Sequence, residues 1–239
     1  MSCILHIETS TSVCSVAVSQ DGISLFNKEE HGGSNHAAVI GDFIDEALSF
    51  IDSQGIPLDA VAISGGPGSY TGLRIGVSMA KGICYGRDAK LISVPTLELL
   101  CVPVLLCHDE IEDDALLCPM IDARRMEVYT AVFSVITNGS EDTLSYRQIT
   151  ETAPVIIDEN SFAKELEAGP VLFIGDGAGK CADVIKHPNA NFCQCHPKAS
   201  AMLSPALEAF RKGDFKDVAY FEPFYLKEFV ATVSKKKLF

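Results

Sequence analysis

Two stretches of this sequence hold residues whose types and spacing can do chemistry. Gly65 to Gly76 reads GGPGSYTGLRIG, a glycine loop between a short apolar run and a helical pattern. Such a loop can gather backbone N–H groups around an anion; it can equally be a tight strand-to-helix turn. It is not a P-loop, because no Gly-Lys-Ser/Thr follows at the right spacing. In the helix after it, Gly72, Gly76 and Ala80 lie four apart, so one ridge is nearly bare backbone. Each interior glycine costs about 1 kcal/mol against alanine, which makes sense where another backbone comes close. That backbone belongs either to the domain's own first helix or to another subunit. The second stretch is Cys193-Gln194-Cys195-His196. Two thiols and an imidazole can hold zinc, but a fourth ligand is not evident, and incidental clustering explains them as well. The six histidines (His6, His31, His36, His108, His187, His196) include no HExxH and no i, i+4 pair.

These residues sit in a chain of 239, long enough for one large domain or two small ones. Hydrophobic residues make up 47% and charged residues 21%, a mixture that builds a proper core. The net charge of −13 repels phosphate backbones and excludes nucleic-acid binding by bulk electrostatics. The Lys235-Lys236-Lys237 run reads as a solvated tail. No run of about 18 apolar residues is present to span a membrane. The N-terminus lacks a basic region and meets Glu8 early, unlike a signal peptide. Nine cysteines, among them Cys14, Cys84, Cys101 and Cys118 in apolar runs, read as reduced core thiols of a cytoplasmic protein.

The elements that must position these groups follow from periodicity. Strands are expected at Cys3 to Ile7, Val13 to Ser19 and from Ile23, the last two joined by Gln20-Asp21-Gly22. A helix capped by Ser34 or Asn35 carries the stripe Ile40, Phe43, Ile44, Ala47, Leu48 and Ile51, and Gly55 and Pro57 stop it. A buried strand Ala60 to Ser64, a helix from about Thr71 to Tyr85, a strand Lys90 to Val94 and a buried helix Thr96 to Cys107 complete a β-β-β-α-β-α-β-α order. This predicts an α/β fold whose mixed sheet carries helices on its faces. It is the order of the ribonuclease H-like half of actin-like ATPases. His108 to Asp114 is the expected boundary, giving domains 1–107 and 108–239. The second half reads as a shorter copy. Its expected strands are Leu116 to Ile121, Val128 to Ile136, Leu144 to Ile149 and Val171 to Ile174, with an Asn138-Gly139 turn. Its helices are Phe162 to Leu166 and Ala199 to Lys212, the last with its tail packing back on the first domain.

Five segments taken in order carry a more specific resemblance. They are Ile4-Leu5-His6-Ile7-Glu8-Thr9-Ser10, GGPGSYTGLRIG, Ile92-Ser93-Val94-Pro95-Thr96-Leu97, Ile121-Asp122-Ala123-Arg124-Arg125 before Glu127-Val128-Tyr129, and Glu222-Pro223 before Tyr225-Leu226. Together they resemble the TsaB (YeaZ) family of the bacterial machinery that makes N6-threonylcarbamoyladenosine in tRNA, over nearly the whole chain. The resemblance implies two ribonuclease H-like domains of the actin-like ATPase superfamily and no catalysis by this subunit alone. It implies heterodimerisation with a TsaD-type catalytic subunit, help from a TsaE-type ATPase, and contact with tRNA only through the complex. The implied partner surface lies on the first two helices: Ile40, Phe43, Ile44, Ala47, Tyr70, Gly72, Leu73, Gly76 and Ala80. A homodimer is expected when the chain is alone.

The resemblance also bears on the site. The catalytic relatives hold a metal with two histidines, and Thr96 and Leu100 stand at the matching positions. Leucine has no lone pair, and a neutral threonine hydroxyl poorly replaces imidazole, so no metal is expected. An actin-like nucleotide site needs three loops. The matching residues are Glu8, Thr9 and Ser10; Asp122 and Arg124; and Gly175, Asp176 and Gly177. The family usually has Asp where Glu8 stands. The implied site is a vestigial outline without a tightly bound cofactor, and a nucleotide at the subunit junction stays open. Two rival readings remain: an active ATPase or small-molecule kinase of the same fold, and a stand-alone homodimeric binding module.

Overall fold

A computed structural model of the chain describes residues 1–32, 36–106, 115–138 and 143–226. The helix cap expected at Ser34 or Asn35, the boundary at His108 to Asp114, Gly139 of the expected turn, and the Lys235-Lys236-Lys237 run lie outside the described residues.

The first sheet contains β1 (Cys3–Glu8), β2 (Cys14–Gln20), β3 (Ile23–Glu30), β4 (Ala60–Ser64) and β5 (Lys90–Val94), in the order β3-β2-β1-β4-β5. The β1–β2 and β2–β3 pairs are antiparallel, whereas β4 lies parallel to both β1 and β5. Every residue of β1 and of β4 is buried, because helices cover both faces of the sheet. On one face, Leu5, Ile7, Val16 and Val61 pack with Ile40, Ala47 and Ile51 of α1 (His36–Ser53) and with Val77 and Ala80 of α2 (Tyr70–Arg87). The expected stripe of the first helix is thus its core face.

The second sheet repeats this plan. Its path runs through β10 (Ala153–Ile156), β7 (Glu127–Thr130), β6 (Leu116–Asp122), β11 (Val171–Ile174) and β12 (Ala190–Cys193). Antiparallel pairs lie on one side of β6, and β6, β11 and β12 run parallel. It is the order of the first sheet, with the hairpin β8 (Phe133–Asn138) and β9 (Thr143–Gln148) inserted. The single strand expected over Val128 to Ile136 is in fact β7 and β8. Both pair with β6, β7 along Met120–Asp122 and β8 at Leu116 and Leu117, so the chain breaks between them at Ala131 and Val132. Strands β10 and β12 escaped sequence reading: each has four residues, alternating between half-buried and exposed.

The two halves exchange their last helices. α3 (Thr96–Leu106) is apolar on every side except at Glu98, which accepts the Tyr146 hydroxyl at 2.8 Å, as suits a helix packed on two faces. Its Leu99 joins the first-sheet core, while Leu97, Leu100 and Cys101 pack with Leu117, Ile121 and Phe133 of the second half. Short helices α4 (Ala163–Ala168) and α5 (Ala178–Cys181) cover the second sheet. The helix expected over Ala199 to Lys212 is a 3-10 turn, Ala199–Met202, leading into α6 (Leu203–Lys212). Ala201, Met202 and Ala206 cover the outer face of the first sheet, against Ile4, Ala60, Ala62 and Ile92. Because each half closes the other's core, Met202→Ala is expected to cost about 2–5 kcal/mol. Urea unfolding followed by far-ultraviolet dichroism and by tyrosine fluorescence should still give one coincident transition. Two separated transitions would show that the halves unfold independently.

Candidate functional site

The Gly65–Gly76 segment turns its donors inward. Gly65 N–H donates to the Val94 carbonyl (2.8 Å), Gly66 N–H to Thr96 Oγ1 (3.2 Å) and Ser69 N–H to the Ser10 carbonyl (2.6 Å). The Thr9 hydroxyl donates to the Gly72 carbonyl at 2.8 Å. The space that an anion would take is filled by the chain's own Thr9–Ser10 peptide. This decides the glycines: a Cβ on Gly72 would lie 2.0 Å from the Thr9 carbonyl oxygen, and one on Gly76 2.4 Å from Thr9 Oγ1.

The bare ridge therefore packs internally, against the loop after β1 rather than against the first helix. Of the expected interface residues, Ile40, Ala47, Gly72, Leu73, Gly76 and Ala80 are buried within the chain and offer a partner nothing. Phe43 is half-buried, with Lys28 Nζ 5.5 Å from its ring centroid, and the Tyr70 ring packs at a tilt against Tyr225, centroids 4.9 Å apart. Ile44 is buried as well, and its edge lines a groove.

That groove, of about 410 Å³, runs between α1 and α2. Gly41, Ile44 and Leu48 form one wall, and Ser78, Met79, Gly82, Ile83 and Gly86 the other. Ser78, Gly82 and Gly86 make a second small-residue row at i, i+4, i+8. A Cβ on Gly82 or Gly86 meets nothing within 4 Å. Arg87 closes the groove's end and pairs with Asp52 through both guanidinium nitrogens (2.6 and 2.8 Å). Tyr85, 89% exposed, stands beside the row. The row named from the sequence is the one turned inward. The discriminating signal was there: Leu73, Val77 and Cys84 flank the first row, and large apolar neighbours mark the buried side.

Glu8 is wholly buried at the end of β1. Its Oε1 accepts Ser10 N–H at 2.5 Å, while its Oε2, Ser10 Oγ and Thr11 Oγ1 complete no hydrogen bond. Burial pushes the carboxyl up to about 7, with nearby hydroxyls of Ser10 and Ser64 and amides of Ser10 and Thr9 pulling the other way. On the same strand His6 Nε2 pairs with Ser19 Oγ (2.8 Å), its Nδ1 has no partner, and burial lowers its pKa to about 3.

The other two predicted loops do come together. Asp176 Oδ1 accepts Asp122 N–H at 2.9 Å, and Gly177 N–H donates to the Met120 carbonyl at 3.1 Å. A Cβ on Gly175 would meet that same carbonyl oxygen at 2.2 Å. Burial raises the Asp176 carboxyl above its usual range. Arg124 and Arg125 both take left-handed backbone (φ 69° and 53°). Lys180, which sequence reading missed, braces this turn: Nζ donates to the Arg125 and Glu127 carbonyls (2.8 and 2.6 Å) and to Asp122 Oδ1. Thr96, buried, is tied to Gly66, and Leu100 lies in the inter-half core. Cys193 is exposed, and burial holds the Cys195 thiol up at about 12. Among the described residues no three His, Cys, Asp or Glu side chains are grouped to hold a metal ion.

Two ribonuclease H-like halves with exchanged helices define the actin-like ATPase class of fold. The chain belongs to the TsaD family, tRNA N6-adenosine threonylcarbamoyltransferase, whose family model matches residues 28–235, and within it to the TsaB (YeaZ) proteins. It is 29% identical to the tRNA threonylcarbamoyladenosine biosynthesis protein TsaB of Escherichia coli (strain K12), over 95% of this chain and 96% of that protein. It is 29% identical to the protein of the same name from Bacillus subtilis (strain 168), over 72% of this chain and 70% of that one. The solved structure of YeaZ from Pseudomonas aeruginosa superposes with a TM-score of 0.77 at 25% identity, covering 95% of this chain and all of that one.

Two predictions follow from the buried groups. Gly76→Leu should destabilise the isolated chain, because the new side chain meets Thr9; a melt unchanged from the parent would contradict the internal packing. The second concerns pH. Glu8, raised from 4.5 to about 7, contributes stability present at low pH that is lost as pH rises through this window. His6, lowered from 6.5 to about 3, contributes stability present above 6.5 that is lost as pH falls. The two slopes oppose between pH 4.5 and 6.5, leaving a plateau with a decline on either side. Glu8→Gln should replace the plateau by a rise that continues to pH 6.5 and then levels, gaining about 3 kcal/mol on the parent between pH 4.5 and 8. Parallel urea titrations of the two proteins at acid, neutral and alkaline pH measure it.

Proposed function

We propose that this chain is a non-catalytic subunit. It docks on a TsaD-type catalytic subunit through the α1–α2 groove and supports formation of N6-threonylcarbamoyladenosine in tRNA. The observation that carries the reading is the exposed row Ser78, Gly82 and Gly86 beside Ile44, Leu48 and Ile83, where a partner's backbone can approach closely. The family membership and the names of the relatives support the pathway. The groove suits two-fold pairing as well, so the chain alone forms a homodimer through the same face, in exchange with the heterodimer.

In this reading Glu8, Thr9 and Ser10, with Asp122, Arg124, Gly175, Asp176 and Gly177, are a vestigial nucleotide site. Thr9 and Ser10 fill the glycine loop themselves, and Glu8 is buried against its own turn. Domains 1–107 and 108–239 then serve as a scaffold. The complex supplies the cations for tRNA that a chain of net charge −13 lacks, and a TsaE-type ATPase supplies turnover. Among the described residues no helix is long and apolar enough to cross a membrane, and the proposed place of work is the cytoplasm, where the tRNA is.

Gly82→Leu tests the interface. The new side chain has open space in the monomer, so the melting temperature should hold or rise. Overpacking at a subunit contact costs about 1–3 kcal/mol, so affinity for the catalytic subunit should drop by about tenfold or more. Unchanged co-elution and affinity on mixing with the catalytic subunit would reject the groove. Function is read by nucleoside analysis of tRNA after reaction with the catalytic subunit, the accessory ATPase and threonylcarbamoyl-adenylate. Omitting this chain should abolish the modified nucleoside. Robust ATP turnover by this chain alone, lost in Glu8→Ala, would instead establish the kinase-like reading.

A further inference from the structure

The second half carries a pair of thiols that neither the groove nor the predicted loops use. Cys193 is the last residue of β12, the edge strand of its sheet, and Cys195 follows two residues on. Even in fully extended chain their Cα atoms stand no more than about 6.8 Å apart, within the reach of a disulfide. The side chains already meet, because the Cys195 thiol hydrogen-bonds that of Cys193. Among the described residues no third His, Cys, Asp or Glu joins them to hold a metal ion.

The two thiols differ in their surroundings. Cys193 is exposed, whereas Cys195 is half-buried against the core between the halves. Burial keeps Cys195 protonated, its pKa pushed up to about 12, and the Cys193 sulfur and the Asp176 carboxylate beside it act the same way. Cys195 therefore donates and Cys193 accepts. An exposed thiol backed by a buried, protonated one divides the work between a sulfur that attacks and a sulfur that resolves. Cys3, Cys14, Cys84, Cys101, Cys118 and Cys181 are all buried and out of reach of a dissolved reagent. Cys101, near Cys195, is held on α3 with its thiol on the Leu97 carbonyl (3.5 Å).

We propose that Cys193 and Cys195 form a thiol–disulfide exchange site whose co-reactant is a small disulfide of the glutathione type. The Cys193 thiolate attacks one sulfur of that disulfide. A mixed disulfide forms, and the thiolate released takes up the proton that Cys193 gave. Cys195 then loses its proton and attacks the Cys193 sulfur, expelling the second thiolate, which takes that proton. The cysteine pair gives up two electrons, and the small disulfide is reduced to two thiols. Because Cys195 holds its proton, closure is slower than the first attack, and the mixed disulfide accumulates on Cys193. The bridge acts on the loops beside it. The Cys193 carbonyl accepts Gly175 N–H at 3.0 Å, and a Cβ on Gly179 would meet Gln194 Oε1 at 2.5 Å. Closing the ring turns the chain at Gln194, next to the Lys180 that braces the Asp122–Arg125 turn. The site lies in the other half from the α1–α2 groove, so it stands or falls independently of the partner role.

The full-length chain, equilibrated with graded ratios of oxidised to reduced glutathione, tests this by alkylation and peptide mass spectrometry. One glutathionyl group should appear on Cys193 first. It should then give way to a Cys193–Cys195 bridge, with both thiols of that peptide lost to alkylation. Excess reduced glutathione should restore them. Cys195→Ser should stop at the mixed disulfide, and Cys193→Ser should take up no glutathione in this segment. The reduced Cys193→Ser protein should melt as the parent does, since that side chain is exposed. In isotope-labelled protein, oxidation should shift the Gly175 and Gly179 amides of the parent and leave those of Cys193→Ser in place. The proposal is overturned if Cys193 takes up no glutathione, if either thiol bridges to another cysteine instead, or if both stay open to alkylation at the most oxidising ratio.

Discussion

The contact between the Thr9–Ser10 peptide and the first turns of α2 sets most of what this molecule can do. The Ser10 carbonyl accepts Ser69 N–H, and the Thr9 hydroxyl reaches the Gly72 carbonyl. Two interior glycines cost about 1 kcal/mol each, and two hydrogen bonds return about the same; what remains is geometry. The close approach pins α2 to the end of the central strand and closes the loop against an outside anion. It also fixes the rotation of α2 about its axis. With Gly72, Gly76 and Ala80 turned inward, Ser78, Gly82 and Gly86 have to face out. An exposed small-residue row and a filled glycine loop are two consequences of one packing choice.

The exchange of terminal helices supplies the rigidity that choice requires. α3 carries Leu99 into one core and Leu97, Leu100 and Cys101 into the other, while Met202 and Ala206 close the first sheet from behind. The last described stretch then runs back over the first half: Lys216 N–H donates to the Leu91 carbonyl at 2.8 Å, and Lys81 Nζ to the Ala219 carbonyl at 3.0 Å. The crevice at the ends of β4 and β5 is therefore walled by segments from both halves of the chain.

The first half was legible in the sequence because its signals are long and agree with one another. The α1 stripe, the buried five-residue strands and the glycine stop each point to the same order. The second half resisted for physical reasons. Its edge strands have four residues and alternate too briefly to register, and Val128 to Ile136 is one apolar run that tertiary pairing divides at Ala131. The site was legible as residues and not as geometry. Asp122 and Asp176 do meet, but the brace between their loops is Lys180, a lysine with no distinguishing pattern. Which small-residue row of α2 faces inward is marked locally by Leu73, Val77 and Cys84 beside it; only its partner, Thr9, sixty-odd residues away, has no local mark.

His6 and Glu8 show what the first sheet gives up. Each is wholly buried on the central strand, and each leaves a polar atom without a partner, Nδ1 in one and Oε2 in the other. Buried groups of this kind are usually less stabilising than apolar residues of similar volume. At neutral pH neither is comfortable: the imidazole is held neutral, and the carboxyl sits near its midpoint at about 7. A strand chosen for stability alone would carry Leu or Val at both positions. Glu8 is also walled in by Ser10 and Ser64, wholly out of contact with solvent. The turn thus spends the Ser10 amide and the Glu8 carboxyl on each other, and the strand carries the cost of burying an acid to hold that turn in place.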